Sequence, residues 1–189
     1  MDDGELPAVI GLYSPEARSG KGTVARVLVD EFGYTERQFS APIKAAWTGL
    51  LESIGCGDLV AATLEGPLKE TALPRVGGLS FRKFAEHIGD GLRGDNPDLW
   101  IKIISEQLGV DAFAGRRVVL SDLRYPNEFT LIKTVGGSCV RVERADGYTR
   151  GFKQPSEGRL DNHDFDYTLK AHSPEELELL VRAMFMRLM

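Results

Sequence analysis

The sequence predicts an α/β fold in which a parallel sheet is flanked by helices, and three observations carry that prediction. Short apolar runs alternate with stretches of helical periodicity along the chain, the pattern of strand–helix units that build a parallel sheet. The run Arg117-Val118-Val119-Leu120-Ser121-Asp122 is apolar on consecutive residues, as a central strand buried on both faces must be. The first apolar run also leads through a glycine-containing loop straight into an amphipathic segment. A length of 189 residues suits one domain of about 150 residues with an insertion.

Taken in order, Ala8 to Tyr13 lies between Pro7 and Ser14-Pro15 and reads as a buried strand. Gly20 to Phe32 places Val24, Val27, Leu28 and Phe32 at three- and four-residue steps, and Gly33 stops it. Arg37 to Ser40 is expected as a second strand and Pro42 to Ile54 as the next helix. Residues 55–80, rich in Gly and Pro, are the least regular and are expected to form a surface insertion. Phe81 to Gly89 and Leu99 to Leu108 read as helices, and Arg117 to Asp122 as the clearest strand. Asn127 to Val135 is helical and Ser138 to Val142 a strand. Pro174 to Met189 is a terminal helix capped by Ser173, with Glu176 three residues on.

Composition narrows the function. Hydrophobic residues at 42% and charged residues at 27% exclude a disordered chain. No apolar run reaches the ~18–20 residues of a membrane helix, and the acidic start Met1-Asp2-Asp3-Gly4-Glu5 is not a signal peptide. Cys56 and Cys139 have no paired spacing, which fits reduced thiols and a cytoplasmic protein rather than a disulfide framework or zinc site. A net charge of −5 speaks against a dedicated nucleic-acid binder while leaving room for a local basic patch. His87, His163 and His172 show no metal-ligand spacing.

The informative junction is Ser14-Pro15-Glu16-Ala17-Arg18-Ser19-Gly20-Lys21-Gly22-Thr23. A phosphate-binding loop needs backbone N–H groups turned toward phosphate oxygens, a lysine for the β- and γ-phosphates and a helix N-terminus behind them. Gly20 and Lys21 stand where that mechanism wants them. The first glycine of the pattern is replaced by Pro15, and Gly22 stands where a hydroxyl residue usually follows the lysine. Thr23 is then left to reach the α-phosphate, or Mg²⁺ through water. The competing reading is a glycine turn that caps a helix beneath a solvated Lys21. Asp122, at the end of a parallel strand, is placed to hold Mg²⁺ or its waters, or else to cap a turn or helix. Arg124 could reach transferring phosphates or join a surface ion pair.

Ala17 to Ala25 together with Asp122-Leu123-Arg124-Tyr125-Pro126-Asn127-Glu128 resembles the deoxynucleoside monophosphate kinases of bacteriophages. The likeness continues through Ser40 to Lys44, Arg82 to Arg93, Pro97 to Trp100 and Gly136 to Arg144. The resemblance implies a P-loop kinase fold, a single domain over 1–189 with an acceptor region at about 40–105 and a lid at about 143–160. It implies transfer of the ATP γ-phosphoryl group to a deoxynucleoside monophosphate with Mg²⁺. Ala17, Arg18, Ser19, Gly20, Lys21, Gly22 and Thr23 would bind ATP, and Thr23 and Asp122 would hold the metal. Lys21, Asp122, Arg124, Arg144 and Arg150 would act on the reacting phosphates, with Arg159 in the same lid stretch. Lys44, Arg82, Glu86, Arg93 and Trp100 would meet the acceptor.

The sequence departs from the family at Glu86 and Gly89-Asp90-Gly91, where Gln and Gly-Thr-Glu are usual. It departs again at Gln154-Pro155-Ser156-Glu157, where a histidine often precedes Ser-Glu. Trp47 and Trp100 fall on amphipathic helices and read as core before base stacking, while Tyr125 and Phe81 are alternative base-stacking rings. Two other functions stay open. One is a kinase acting on a hydroxymethylated base in DNA, with Asp122 or Asp90 as base; the other is a non-catalytic nucleotide-binding module. No membrane partner is expected, the cytoplasm would be the host's for a phage protein, and the terminal helix leaves a homodimer open.

Overall fold

The structure is a computed structural model and describes residues 6–16, 19–146 and 158–188. The chain divides into two compact units, one formed by residues up to Gln38 and from Ile103 onward, the other by Phe39–Lys102.

The first unit is built on five parallel strands: β1 (Val9–Tyr13), β2 (Tyr34–Arg37), β3 (Arg117–Leu120), β4 (Ser138–Arg144) and β5 (Tyr167–Ala171). Their order is β2-β3-β1-β4-β5, so β1 runs between two partners, with Gly11 opposite Leu120 on β3 and Cys139 on β4. Every residue of β1 is buried, because both faces of the sheet are covered. Ile10 and Leu12 pack with Val24, Val27 and Leu28 of α1 (Lys21–Phe32) and with Leu177, Val181 and Phe185 of α7 (Pro174–Met186). Gly11 points the other way, and a Cβ there would lie 2.3 Å from Ile132 Cδ1 on α6 (Pro126–Thr134). The glycine lets α6 seat directly on the strand that feeds the loop.

Local signals close these elements as expected. Gly33 ends α1 at φ 69°, its N–H bonded to the Leu28 carbonyl. The Ser173 hydroxyl accepts the Glu176 N–H at 3.2 Å to start α7. Surface ion pairs Arg26–Glu178 and Arg182–Glu31 lie between α1 and α7. The wholly buried Asp111 carboxylate, on α5 (Leu99–Phe113), takes two hydrogen bonds from Arg37 at 2.9 and 3.0 Å and one from Arg116 at 2.8 Å. These donors, Arg37 foremost, hold its pKa below the usual carboxylate value.

The second unit contains α2 (Ala41–Ser53), α3 (Val60–Leu64), α4 (Phe81–Asp95) and the first residues of α5. Its core gathers Trp47, Leu51, Cys56, Leu73 and Phe81. The buried indole N–H of Trp47 donates to Thr63 Oγ1 at 2.9 Å, and the Thr63 hydroxyl is within hydrogen-bond distance of the carbonyls of Leu59 and Val60.

Three element readings need correction. Residues 55–80 are mostly exposed or half-buried, as expected, but are more regular than the sequence suggests: they carry α3, two 3₁₀ turns (Gly57–Leu59 and Pro74–Val76) and the core residues Cys56, Thr63 and Leu73. The helix expected to end at Gly89 continues to Asp95 through Gly89, Gly91 and Gly94. Glycine costs a helix only about 1 kcal/mol per residue, and the Trp100 indole N–H reinforces this stretch by donating to the Gly89 carbonyl at 3.1 Å. The second strand is Tyr34–Arg37 rather than Arg37–Ser40, because Gly33 turns the chain directly into the sheet. β5 adds an edge strand with no counterpart in the sequence reading. Both cysteines are free and buried, and burial pushes the Cys139 thiol up to about 12. No described helix is long and apolar enough to cross a membrane.

Candidate active site

The loop from β1 leads into the N-terminus of α1. Gly20 sits at φ 101° and caps α1, its carbonyl accepting the Val24 N–H at 3.1 Å. That positive φ turns the chain so that the N–H groups at the start of α1 point out of the helix end, where partial positive charge gathers. Gly20 is also walled in: a Cβ would lie 2.4 Å from Leu177 Cδ2 on α7. The Ser14 hydroxyl fixes the loop's first turn by donating to the Glu16 carbonyl at 2.8 Å and accepting the Glu16 N–H at 3.1 Å. Ser19 Oγ is buried with no hydrogen-bond partner among the described residues. A buried hydroxyl without a partner is costly, and an oxyanion at this loop would supply the missing partner. Ala17 and Arg18 lie outside the described residues.

Asp122 follows β3, the neighbour of β1 in the sheet. Two residues beyond the Gly11–Leu120 pairing, Asp122 leaves the same C-terminal edge at which Tyr13 hands over to the loop. Its turn is held from several sides. The Ser121 hydroxyl donates to the Glu36 carboxylate and accepts from the Gln38 amide at 3.0 Å. The buried Glu128 carboxylate accepts the N–H groups of Arg124 and Tyr125 at 2.8 and 3.1 Å. Because Tyr125 is the N-cap of α6, Asp122 is not a cap of that helix, which removes one of the two bland readings for it.

Arg144 closes β4 and pairs with Asp146; Arg150 lies outside the described residues, as does most of the 143–160 stretch. Arg159 is described, and its guanidinium lies 4.8 Å from the centre of the Tyr125 ring. In the second unit, Lys44 pairs with Glu65, and Arg82 pairs with Glu70 at 3.1 Å. Arg82, Glu86 and Arg93 follow one another along α4 at steps of four and seven residues and so share one face of it. Glu86 is exposed and Arg93 half-buried. Trp47 and Trp100 are both buried, as the core reading anticipates. Tyr125 is buried in the first unit, and Phe81 packs against Trp47 in the second.

Mg²⁺ asks for hard oxygen donors and leans on one or two carboxylates together with substrate phosphates. Thr23 and Asp122 offer that chemistry, and among the described residues no group of three or more His, Cys, Asp or Glu side chains forms a self-sufficient metal cage. Sequence reasoning missed Glu128 and Ser121. Glu128 left a signal, an acid three residues into a helix, but its cap position is a tyrosine rather than a usual capping residue.

No family model matches the chain. A mimivirus (Acanthamoeba polyphaga mimivirus) protein named "Putative deoxynucleotide monophosphate kinase" is 29% identical over 163 residues, which span 80% of this chain and 81% of that protein. Among solved structures, a dephospho-CoA kinase from Campylobacter jejuni superposes with a TM-score of 0.50 at 13% identity, covering 96% of this chain and 97% of that one. The fold is that of the P-loop kinases, with a parallel five-stranded sheet flanked by helices.

Proposed function

We propose that this P-loop kinase transfers the γ-phosphoryl group of ATP to a deoxynucleoside monophosphate, giving the diphosphate. The observation that carries the acceptor class is the sequence likeness to the mimivirus protein, which runs over four-fifths of both chains. What supports the ATP half is a glycine-turned loop with a buried Ser19 hydroxyl that has no partner among the described residues, and Asp122 at the same sheet edge.

Phosphoryl transfer needs in-line placement and positive charge on the oxygens that gain charge in the transition state. The N–H groups around Gly20 and Gly22 bind the β-phosphate, and Lys21 spans the β- and γ-phosphates. Thr23 and Asp122 would hold Mg²⁺, which would supply positive charge to offset that of the phosphates. Arg124, fixed by Glu128 through its backbone, meets the transferring group, joined by Arg144 and Arg150. Phe39–Lys102 is the acceptor-binding unit: Lys44, Arg82 and Arg93 supply cations for the acceptor phosphate, Glu86 a carboxylate for the base, and Trp100 the support beneath α4. The acceptor is already an anion, so no general base is assigned.

Transfer of labelled phosphate from ATP–Mg²⁺ to each of the four common dNMPs, with matching ribonucleotides and hydroxymethyluracil-containing DNA in parallel, tests this. Turnover on at least one dNMP, abolished by Lys21→Ala, is expected. Labelling of DNA alone, or no transfer to any acceptor, overturns it.

A further inference from the structure

Just before β5 lies a short segment, Gly158–Phe165, that touches the last residue of β1 and Tyr125, the N-cap of α6. Tyr13 is the last residue of β1 and stands next to Ser14, where the loop begins. Its buried hydroxyl donates to Asp161 Oδ1 at 2.7 Å. Arg141, the β4 partner of Tyr13, completes the joint. Its guanidinium donates to the Asp161 carbonyl at 3.1 Å, lies 3.5 Å from the Asp161 carboxylate, and rests on the rings of Tyr13 and Phe165. Those two rings are stacked, with centres 5.2 Å apart, and Phe165 meets Phe129 of α6 edge-on. Two residues upstream of Asp161, Arg159 lies over Tyr125, the residue directly after Arg124.

A buried hydroxyl bonded to a carboxylate is among the stronger neutral-donor hydrogen bonds, and it joins residues 148 apart in sequence. The core of the sheet does not require it: Tyr13 could pack as phenylalanine. What the bond adds is a fixed distance between the end of β1, where the loop that would hold ATP begins, and the segment whose Arg159 lies over Tyr125, next to Arg124. We propose that Gly158–Phe165 is a clasp that sets the spacing of this loop and the Asp122–Arg124 turn, with Tyr13 and Asp161 as positioning residues for the ATP phosphates. The inference rests on the kinase reading above.

The experiment combines ATP binding, followed with a fluorescent ATP analogue, with steady-state kinetics for Tyr13→Phe, Asp161→Ala, Asp161→Asn and the double variant Tyr13→Phe/Asp161→Ala. A misplacement near 1 Å at a phosphate site costs up to about 100-fold, so a loss of about tenfold in kcat/KM for ATP is expected from Tyr13→Phe and from Asp161→Ala. The double variant is expected to be no worse than either single one, since each breaks the same bond. Asp161→Asn keeps an acceptor for the tyrosine and is expected to recover most of the loss. KM for the nucleotide acceptor stays where it was, which a general loss of structure would not permit.

Wild-type ATP binding and kinetics in Tyr13→Phe overturn the clasp, and so do losses that multiply in the double variant or fall equally on the acceptor KM. Should Asp161→Ala fail to fold, Tyr13→Phe decides alone, because it removes one oxygen and keeps the ring. Wild-type protein that neither binds ATP nor transfers phosphate sinks the kinase reading itself; ATP binding indifferent to Tyr13→Phe sinks only the clasp.

Discussion

Replacing Gly20 with alanine tests how the loop is built, and its cost follows from two independent penalties. The first is conformational: at φ 101° an L-residue pays roughly 1–2 kcal/mol that glycine does not. The second is steric. The new methyl would lie 2.4 Å from Leu177 Cδ2, and Leu177 is only 3% exposed within the packed core, so it has little room to retreat; overpacking of this kind costs about 1–3 kcal/mol. Together these come to about 3 kcal/mol. Gly33 is the internal control, with φ 69° and nothing within 4 Å of its would-be Cβ, so Gly33→Ala pays the conformational part alone. For a chain of this size each kcal/mol moves the midpoint by about 2–4 °C. Gly20→Ala is therefore expected to fall about 6–12 °C below wild type, and Gly33→Ala about half that. Far-ultraviolet circular dichroism is the right probe, since Trp47 and Trp100 both lie in the Phe39–Lys102 unit and their fluorescence reports that unit. In a Leu177→Ala background the added cost of Gly20→Ala should shrink to that of Gly33→Ala. Equal costs for Gly20→Ala and Gly33→Ala in the wild-type background would refute the wall.

Trp47→Phe removes the donor to the buried Thr63 hydroxyl and part of an aromatic core, so it should destabilise the second unit by about 2 kcal/mol, read from the Trp100 fluorescence transition in urea. Asp111 has its pKa depressed chiefly by Arg37, so its stabilisation is complete above the ordinary carboxylate pKa near 4 and is lost as pH falls through the lower native value. Asp111→Asn should then cost about 2 kcal/mol at pH 7, below the ~3–5 of a fully buried pair because both arginines are part-exposed. The gap between the two proteins, followed by urea denaturation, should narrow only below about pH 4; a gap constant down to pH 2 would refute the assignment. Asp122→Asn should raise the Mg²⁺ concentration for half-maximal ATP binding by about tenfold, measured by titrating the metal at fixed nucleotide, and an unchanged curve would remove Asp122 from the metal site.

What the sequence revealed of this molecule depended on how far apart the contacts lie along the chain. β1, the loop, α1 and Gly33 form one local run, and each leaves a mark that neighbouring residues decode: continuous apolar residues for a doubly covered strand, three- and four-residue steps for the helix, glycine for its stop. The Asp122–Arg124 turn was visible for the same reason, as an acid closing an apolar strand. In residues 55–80 the Gly and Pro correctly mark surface, but they hide α3 and the burial of Thr63, which comes from Trp47, 16 residues away. Tyr13 and Asp161 are the extreme case. Nothing in Asp161-Asn162-His163-Asp164 distinguishes one carboxylate from the other until the sheet brings Arg141 and Tyr13 to it, 20 and 148 residues away. A motif therefore shows which groups can touch a phosphate, whereas the spacing of those groups is decided by bonds that only the fold creates. Substitution at Lys21 should then abolish transfer outright, while substitutions at Tyr13 and Asp161 should grade it, and that contrast separates the chemistry of the site from its alignment.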